Sequence, residues 1–170
     1  MKRKDLRLMC ISGIFAALVF VVTAYLHIPT YNGYVHIGDA FIFLAACILP
    51  TPYAVGVGAM GAMLADVLTG YAIWAPGSIV IKALSAMLFS CKAKKIVSLR
   101  NTLMLIPTTA ICAGGYYIYE VIITGSFLGA LSGIPGSLIQ SLASSIVFVL
   151  VGAAMDKMNL RSKILEGNGL

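Results

Sequence analysis

Five polar side chains stand out because they occur inside otherwise apolar stretches: Asp39, Asp66, Lys82, Glu120 and Gln140. Burying such groups in an apolar medium is costly unless each one finds a partner, so they are retained for a packing or a binding role. Two kinds of charge and an amide together can donate to and accept from a small polar ligand. The first hypothesis is therefore a binding site built from these five groups.

The elements that carry these residues must be membrane helices. Apolar residues make up 60% of the 170 positions and charged residues only 11%, which is too few charges to cover a soluble domain. The sequence predicts an all-α integral membrane bundle in one domain, 1–170, with six transmembrane helices of about the length that a bilayer core requires. The predicted spans are 8–26, 37–49, 53–71, 75–91, 103–123 and 136–155.

The distribution of basic residues predicts the orientation of the helices. Eleven of the twelve lie before the first run, between the fourth and fifth, or after the sixth: Lys2, Arg3, Lys4, Arg7, Lys92, Lys94, Lys95, Arg100, Lys157, Arg161 and Lys163. The positive-inside rule puts all three groups, and both termini, on the cytoplasmic side. An even number of crossings must separate them, so the short second run must span as well. Segments 27–36, 70–74 and 124–135 then face outward.

This topology brings the five polar side chains to one depth. Each lies within about 10 Å of the outer end of its helix, and the inner halves carry no such groups. That asymmetry argues against a channel and favours a pocket open to the outside. Aromatic residues near the same level could line it, although an interfacial aromatic belt would also explain part of this set: Tyr34, Trp74, Tyr116, Tyr117 and Tyr119.

Each polar residue also has a purely structural interpretation. Lys82 could form an internal ion pair with Asp66, and Asp39 after Gly38 is expected to cap a helix. Glu120 and Gln140 have no obvious local partner and are expected to contact a ligand. His27 and His36 are expected at solvated or rim positions of the first outer loop. An enzyme is not predicted, because no HExxH motif occurs and no histidine lies in a span.

Two further patterns resemble sites and are interpreted as packing features. Gly56, Gly58 and Gly61 match the GxGxxG dinucleotide fingerprint, but they lie inside an apolar span instead of between a strand and a helix. They are better explained as small-xxx-small pairs, with Ala62 and Ala65, that let helices approach closely. The four cysteines show no metal-binding or paired spacing. No metal, cofactor, disulfide or nucleic-acid partner is predicted.

A longer pattern of residues resembles a known family. It consists of 34–46 (YVHIGDAFIFLAA), Gly61 with Ala65 and Asp66, Gly70 and Tyr71, 74–76 (WAP), and Ile81 with Lys82. This pattern is similar to the substrate-binding S components of energy-coupling factor (ECF) vitamin transporters, most of all to the branch that contains hydroxymethylpyrimidine and riboflavin-type members. The size, the six spans and the inside termini agree over essentially the whole chain.

The resemblance implies a function for this chain and separate subunits that provide the energy for transport. An S component captures a vitamin from outside and topples in the membrane, while a transmembrane T component and two ATPase subunits supply the energy. It implies hydroxymethylpyrimidine, pyridoxine or a similar compound as ligand, with riboflavin as the alternative; a structural subunit without a ligand is the other alternative. The implied ligand contacts are Tyr34, Trp74, Lys82, Tyr116, Glu120 and Gln140. The implied T-component docking face on the first helix is Gly13 with Ala17, beside a second small pair, Ser12 with Ala16.

Overall fold

The protein is a helical bundle with one small β-hairpin. The computed structural model describes residues 3–30 and 33–166. The helices are α1 (Arg3–Tyr25), α2 (Asp39–Ile48), α3 (Thr51–Leu68), α4 (Ala75–Leu88), α5 (Leu99–Leu103), α6 (Leu105–Thr124), α7 (Phe127–Leu131), α8 (Ile134–Lys157) and α9 (Leu160–Glu166). Strands β1 (His27–Pro29) and β2 (Tyr34–His36) form an antiparallel hairpin, and a 3₁₀ turn (Ala72–Trp74) precedes α4. The all-α class predicted from composition is confirmed.

Among the described residues, four helical stretches are long and apolar enough to cross a bilayer. They are Asp5–Tyr25, Thr51–Leu68, Leu99–Thr124 and Phe127–Lys157. Two further apolar stretches are shorter, Asp39–Ile48 and Ala72–Leu88. At 1.5 Å per residue, α2 covers about 15 Å, half of a hydrocarbon core of about 30 Å. The predicted second span, 37–49, is thus observed as a shorter helix that begins at Asp39, after the hairpin ends at His36.

The short helix α2 forms the centre of the bundle. Nine of its ten residues are buried, and it contacts α1, α3, α4 and α8. A helix that is apolar on all sides is stable only when surrounded in this way. Phe43 stacks on Phe89 with ring centroids 4.7 Å apart, and Phe148 packs edge-on against both rings. This packing fixes the first residue of α2, Asp39, inside the protein.

Small residues of α3 allow its neighbours to approach closely. A Cβ added at Gly61 would lie 2.7 Å from Val19 and 3.0 Å from the carbonyl oxygen of Ala16, both on α1. A Cβ added at Gly58 would lie 3.1 Å from the carbonyl oxygen of Lys82 on α4. The prediction that these glycines pack helices together is therefore confirmed.

The three basic segments meet at one end of the bundle. The Asp156 carboxylate accepts hydrogen bonds from the backbone N–H groups of Ile96 and Val97, at 2.8 and 2.9 Å. Arg161 donates to the carbonyl of Cys91, and Arg7 donates to the carbonyl of Ile164. The start of α1, the loop before α5, the end of α8 and α9 are thus joined at this end of the bundle.

Candidate functional site

A cavity of about 150 Å³ lies at the opposite end of the bundle. The hairpin, the 3₁₀ turn, the ends of α3, α4 and α6, and the α7–α8 region all contribute to its wall. The residues that line it are Thr30, Gly33, Tyr34, Val35, His36, Asp66, Trp74, Ser78, Tyr116, Glu120, Ser132, Gly133, Gly136, Ser137 and Gln140. The three segments predicted to share the outer side therefore surround one site.

Most residues named as ligand contacts meet at this cavity. Tyr34, Trp74, Tyr116, Glu120 and Gln140 all line it. Lys82 does not: its side chain is 1% exposed, and its ammonium lies 4.9 Å from the centre of the Tyr116 ring. The lysine side chain therefore lies behind the Tyr116 ring, outside the cavity.

A buried ion pair explains where Lys82 points. Its Nζ lies 2.8 Å from Oδ1 of Asp39 and 2.9 Å from Oδ2, and Gln140 Nε2 donates to the same Oδ2 at 3.0 Å. The predicted pairing of Lys82 with Asp66 is therefore wrong. The predicted capping role of Asp39 is also wrong, because its side chain bonds across to α4 and α8 instead. The cause in both cases is the central position of α2, which brings the first residue of that helix against Lys82.

His36 is buried at 6% exposure, so its predicted rim position is wrong. Its Nδ1 accepts a hydrogen bond from the backbone N–H of Gly38 at 3.1 Å. Burial lowers the pKa of His36 to about 4, which leaves the imidazole neutral at pH 7. The pairing of β1 with β2 draws this residue inward, and no pattern in the residues predicted that pairing.

Asp66 and Tyr34 form a hydrogen-bonded pair on the cavity wall. The Tyr34 hydroxyl donates to Oδ1 of Asp66. Burial, followed by the neighbouring Asp66 carboxylate, raises the pKa of the Tyr34 hydroxyl, so Tyr34 stays a neutral donor. The Tyr34 ring also packs against His27 and Tyr71, with centroids 4.9 and 4.6 Å away. Asp66 thus tethers the hairpin to α3.

An aromatic corner forms another part of the wall. The Trp74 ring lies 6.1 Å from Tyr116 and 6.0 Å from Tyr119, measured between centroids. The Tyr119 hydroxyl donates to the carbonyl of Ile73 at 2.7 Å, which ties the 3₁₀ turn to α6. Of the aromatic residues expected at this level, Tyr119 lies behind Trp74 and Tyr117 lies elsewhere on α6, and neither is among the residues lining the cavity.

Sequence reasoning missed the small residues of the wall. Gly133 lets Glu120 come close, since a Cβ added there would lie 2.6 Å from Oε2 of that glutamate. Ser132, Gly136 and Ser137 line the same side. The sequence feature that could have indicated them is a serine- and glycine-rich stretch between two apolar helices. Such a stretch is equally typical of an ordinary loop.

This arrangement defines a class of protein. A polar and aromatic cavity at one end of a membrane bundle, closed below by an ion pair and an apolar centre, is suited to holding a small molecule. A family model described as "ECF-type riboflavin transporter, S component" matches residues 4–157. The chain therefore belongs to this family of S components. A search of curated proteins finds no match.

Membership establishes the general role of the chain. It is a substrate-binding S component and a multi-pass protein of the cell membrane. S components are transporter subunits and not enzymes, and the family works with a T component, an ATPase module and a small-molecule vitamin.

Proposed function

We propose that this S component captures a small, single-ring, water-soluble vitamin or vitamin precursor from outside the cell, such as hydroxymethylpyrimidine or pyridoxine. The observation that carries the proposal is the cavity of about 150 Å³ with its aromatic and polar lining. A cavity of similar size in another protein takes up one benzene ring. Trp74 and Tyr116 offer ring faces to a ligand of that size, and the polar groups around them offer hydrogen bonds.

Riboflavin is the second candidate ligand, because the description of the matched family names it. Its three fused rings and sugar-alcohol chain exceed a volume of about 150 Å³. To bind here, riboflavin would have to extend through the open side of the cavity, or the hairpin or the α7–α8 segment would have to move outward. A single-ring ligand needs no such change.

The proposed ligand contacts are Tyr34, Trp74, Tyr116, Glu120 and Gln140. Tyr34 and Gln140 already have partners in Asp66 and Asp39, which hold their side chains in place. Lys82 acts indirectly. By binding Asp39, it holds in place the carboxylate that accepts a hydrogen bond from the Gln140 amide. We therefore assign Lys82 a positioning role and the other five a contact role.

The proposed topology has six crossings, with both termini in the cytoplasm. It is supported by the meeting of the three basic segments at one end and of the three sparsely charged segments at the other. The cavity then opens to the outside, where a vitamin is captured.

We further propose that Gly13 and Ala17 on α1 form the docking face for the T component. Both residues are exposed, and a Cβ added at Gly13 would meet no atom within 4 Å. The second small pair, Ser12 with Ala16, is half-buried, and the Ala16 carbonyl faces Gly61 of α3. The exposed pair leaves room for a partner helix to approach to backbone contact.

The Ala17→Trp variant tests whether capture is linked to uptake through this face. We expect it to bind the vitamin normally in purified form, because α1 contributes no residue to the cavity, while uptake into cells and co-purification with the ATPase module are lost. Ile106→Trp is the matched control, since Ile106 is 71% exposed on α6, and it should retain both activities. Full uptake by Ala17→Trp, or loss of binding together with uptake, contradicts this assignment.

A further inference from the structure

Asp66 has an acceptor atom that the protein leaves without a partner. The residue is 3% exposed and lines the cavity. Its Oδ1 accepts from Tyr34, whereas its buried Oδ2 has no hydrogen-bond partner in residues 3–30 and 33–166. A buried carboxylate oxygen without a hydrogen-bond donor costs free energy. A ligand group that donates a hydrogen bond to it would therefore be bound favourably.

The neighbouring side chains do not account for this oxygen. Lys82, the nearest candidate for an ion pair, is held by Asp39 on the far side of the aromatic wall. The Ser78 hydroxyl is a close hydrogen-bonding neighbour of the Asp66 carboxylate. It also lies 3.0 Å from the Tyr116 hydroxyl, and among the described residues no donor meets Oδ2 at hydrogen-bonding geometry. The position of Oδ2 on the cavity wall therefore points to a donor that arrives with the ligand.

The charge around the cavity indicates what kind of donor this is. Two acids, Asp66 and Glu120, line it, and its described lining contains no lysine or arginine. The buried Lys82 charge is balanced by Asp39, and the Nδ1 of His36 is an acceptor for Gly38. Such a site attracts a positive or donor-rich group and repels a phosphate or carboxylate.

We propose that Asp66 is a specificity-determining residue whose Oδ2 accepts a hydrogen bond from an amino group or a protonated ring nitrogen of the ligand. The ligand class is therefore an amine-bearing or cationic nitrogen heterocycle without a phosphate or carboxylate. This inference rests on the proposed function, because it names the chemistry of the molecule captured in that same cavity.

The Asp66→Asn variant tests this pairing. Because Tyr34 donates to Oδ1, an asparagine would direct its carbonyl to Tyr34 and its NH₂ group to the ligand amine, placing a donor against a donor. Affinities of the purified wild-type chain and of the variant are measured by calorimetry for hydroxymethylpyrimidine and for its analogue with hydrogen in place of the amino group. We expect about tenfold to hundredfold weaker binding of the amino compound by the variant. The analogue should bind both proteins about equally, which also shows that the variant is folded.

Other outcomes separate the inference from the proposed function. Pyridoxine and riboflavin are titrated in parallel. If the wild-type chain binds hydroxymethylpyrimidine or pyridoxine and Asp66→Asn binds that compound equally well, or if the variant weakens binding of the amino compound and of its analogue alike, the inference is overturned and the proposed function stands. If the wild-type chain binds only riboflavin, or none of the three compounds, both are contradicted.

Discussion

The Lys82–Asp39–Gln140 contacts lie directly below the cavity and link three helices that are distant in sequence. Removing one partner of a buried ion pair leaves an uncompensated charge, at a cost of about 3–5 kcal/mol. The proposed ligand contact Gln140 therefore depends on Lys82 and Asp39, which do not line the cavity. For this reason Lys82 is a poor position at which to test binding, since loss of fold and loss of ligand would coincide.

A glycine on the wall offers a cleaner test at the residue scale. Gly133→Ala would place a Cβ 2.6 Å from Oε2 of Glu120, and because that atom ends a flexible side chain, the glutamate should move while the backbone stays. We expect ligand affinity to fall about tenfold, the worth of one hydrogen bond, with little change in the thermal unfolding temperature. Gly114→Ala, on the helix that carries Glu120, is the control, since its Cβ would meet no atom within 4 Å and Gly114 is not among the residues lining the cavity. Equal affinities in the two variants would remove Glu120 from the site.

At this scale, the sequence predicted that the polar groups would gather near one end of the bundle, and it missed some of their partners. Depth follows from counting residues along a helix. Partners depend on how each helix is rotated about its axis, and in an apolar bundle with few polar positions the sequence leaves that rotation open. Asp39 and Asp66 were both within reach of Lys82 by depth, and only the packing of α2 against α4 selects Asp39.

The positions of some helices could be predicted from the sequence more accurately than those of other elements. The apolar runs located α3, α6 and α8 to within a few residues, because those helices have the length that a bilayer requires. The hairpin was not predicted, since its strands have three residues each and Pro29 interrupts the pattern of a strand. Its pairing brings Tyr34 and His36 to the cavity.

The packing of α3 gives a prediction at the element scale. Gly61→Ala would force a Cβ into Val19 and the Ala16 carbonyl of α1, so we expect a loss of about 1–3 kcal/mol in the free energy of unfolding. Gly56→Ala, on the same helix, would meet nothing within 4 Å, so it should be neutral or stabilise by up to about 1 kcal/mol. Unfolding in detergent micelles measures both. Equal stabilities would show that α1 and α3 do not pack as described.

The whole molecule has two chemically different ends. One end holds the cavity and the loops with few charges, and the other holds the basic segments joined by Asp156, Arg161 and Arg7. Charge patterning predicted this division because it depends on counting and not on packing. The shape and volume of the cavity could not be predicted, since they arise from the contact of the hairpin, α6 and α8.

Thiol labelling tests which end faces outward. In a chain without its four native cysteines, Ser126→Cys should react with an impermeant reagent on intact cells, and Ser98→Cys only after permeabilisation. The two sites are matched, because each serine caps a five-residue helix, α7 and α5. Asn32, another outward position in the predicted topology, lies outside the described residues. Labelling of Ser98→Cys from outside would overturn the six-crossing topology.

The central claim is that the cavity alone captures a single-ring vitamin, and equilibrium binding by the purified chain tests it most directly. The wild-type protein, in lipid nanodiscs without ATP or partner subunits, is titrated with hydroxymethylpyrimidine, pyridoxine and riboflavin, beside the variants Glu120→Ala and Gln140→Ala. The account predicts one site for a single-ring compound, weaker binding of riboflavin, and a loss of about 1–3 kcal/mol of binding free energy in each variant. Tight binding of riboflavin alone, or affinities unchanged in both variants, would contradict it.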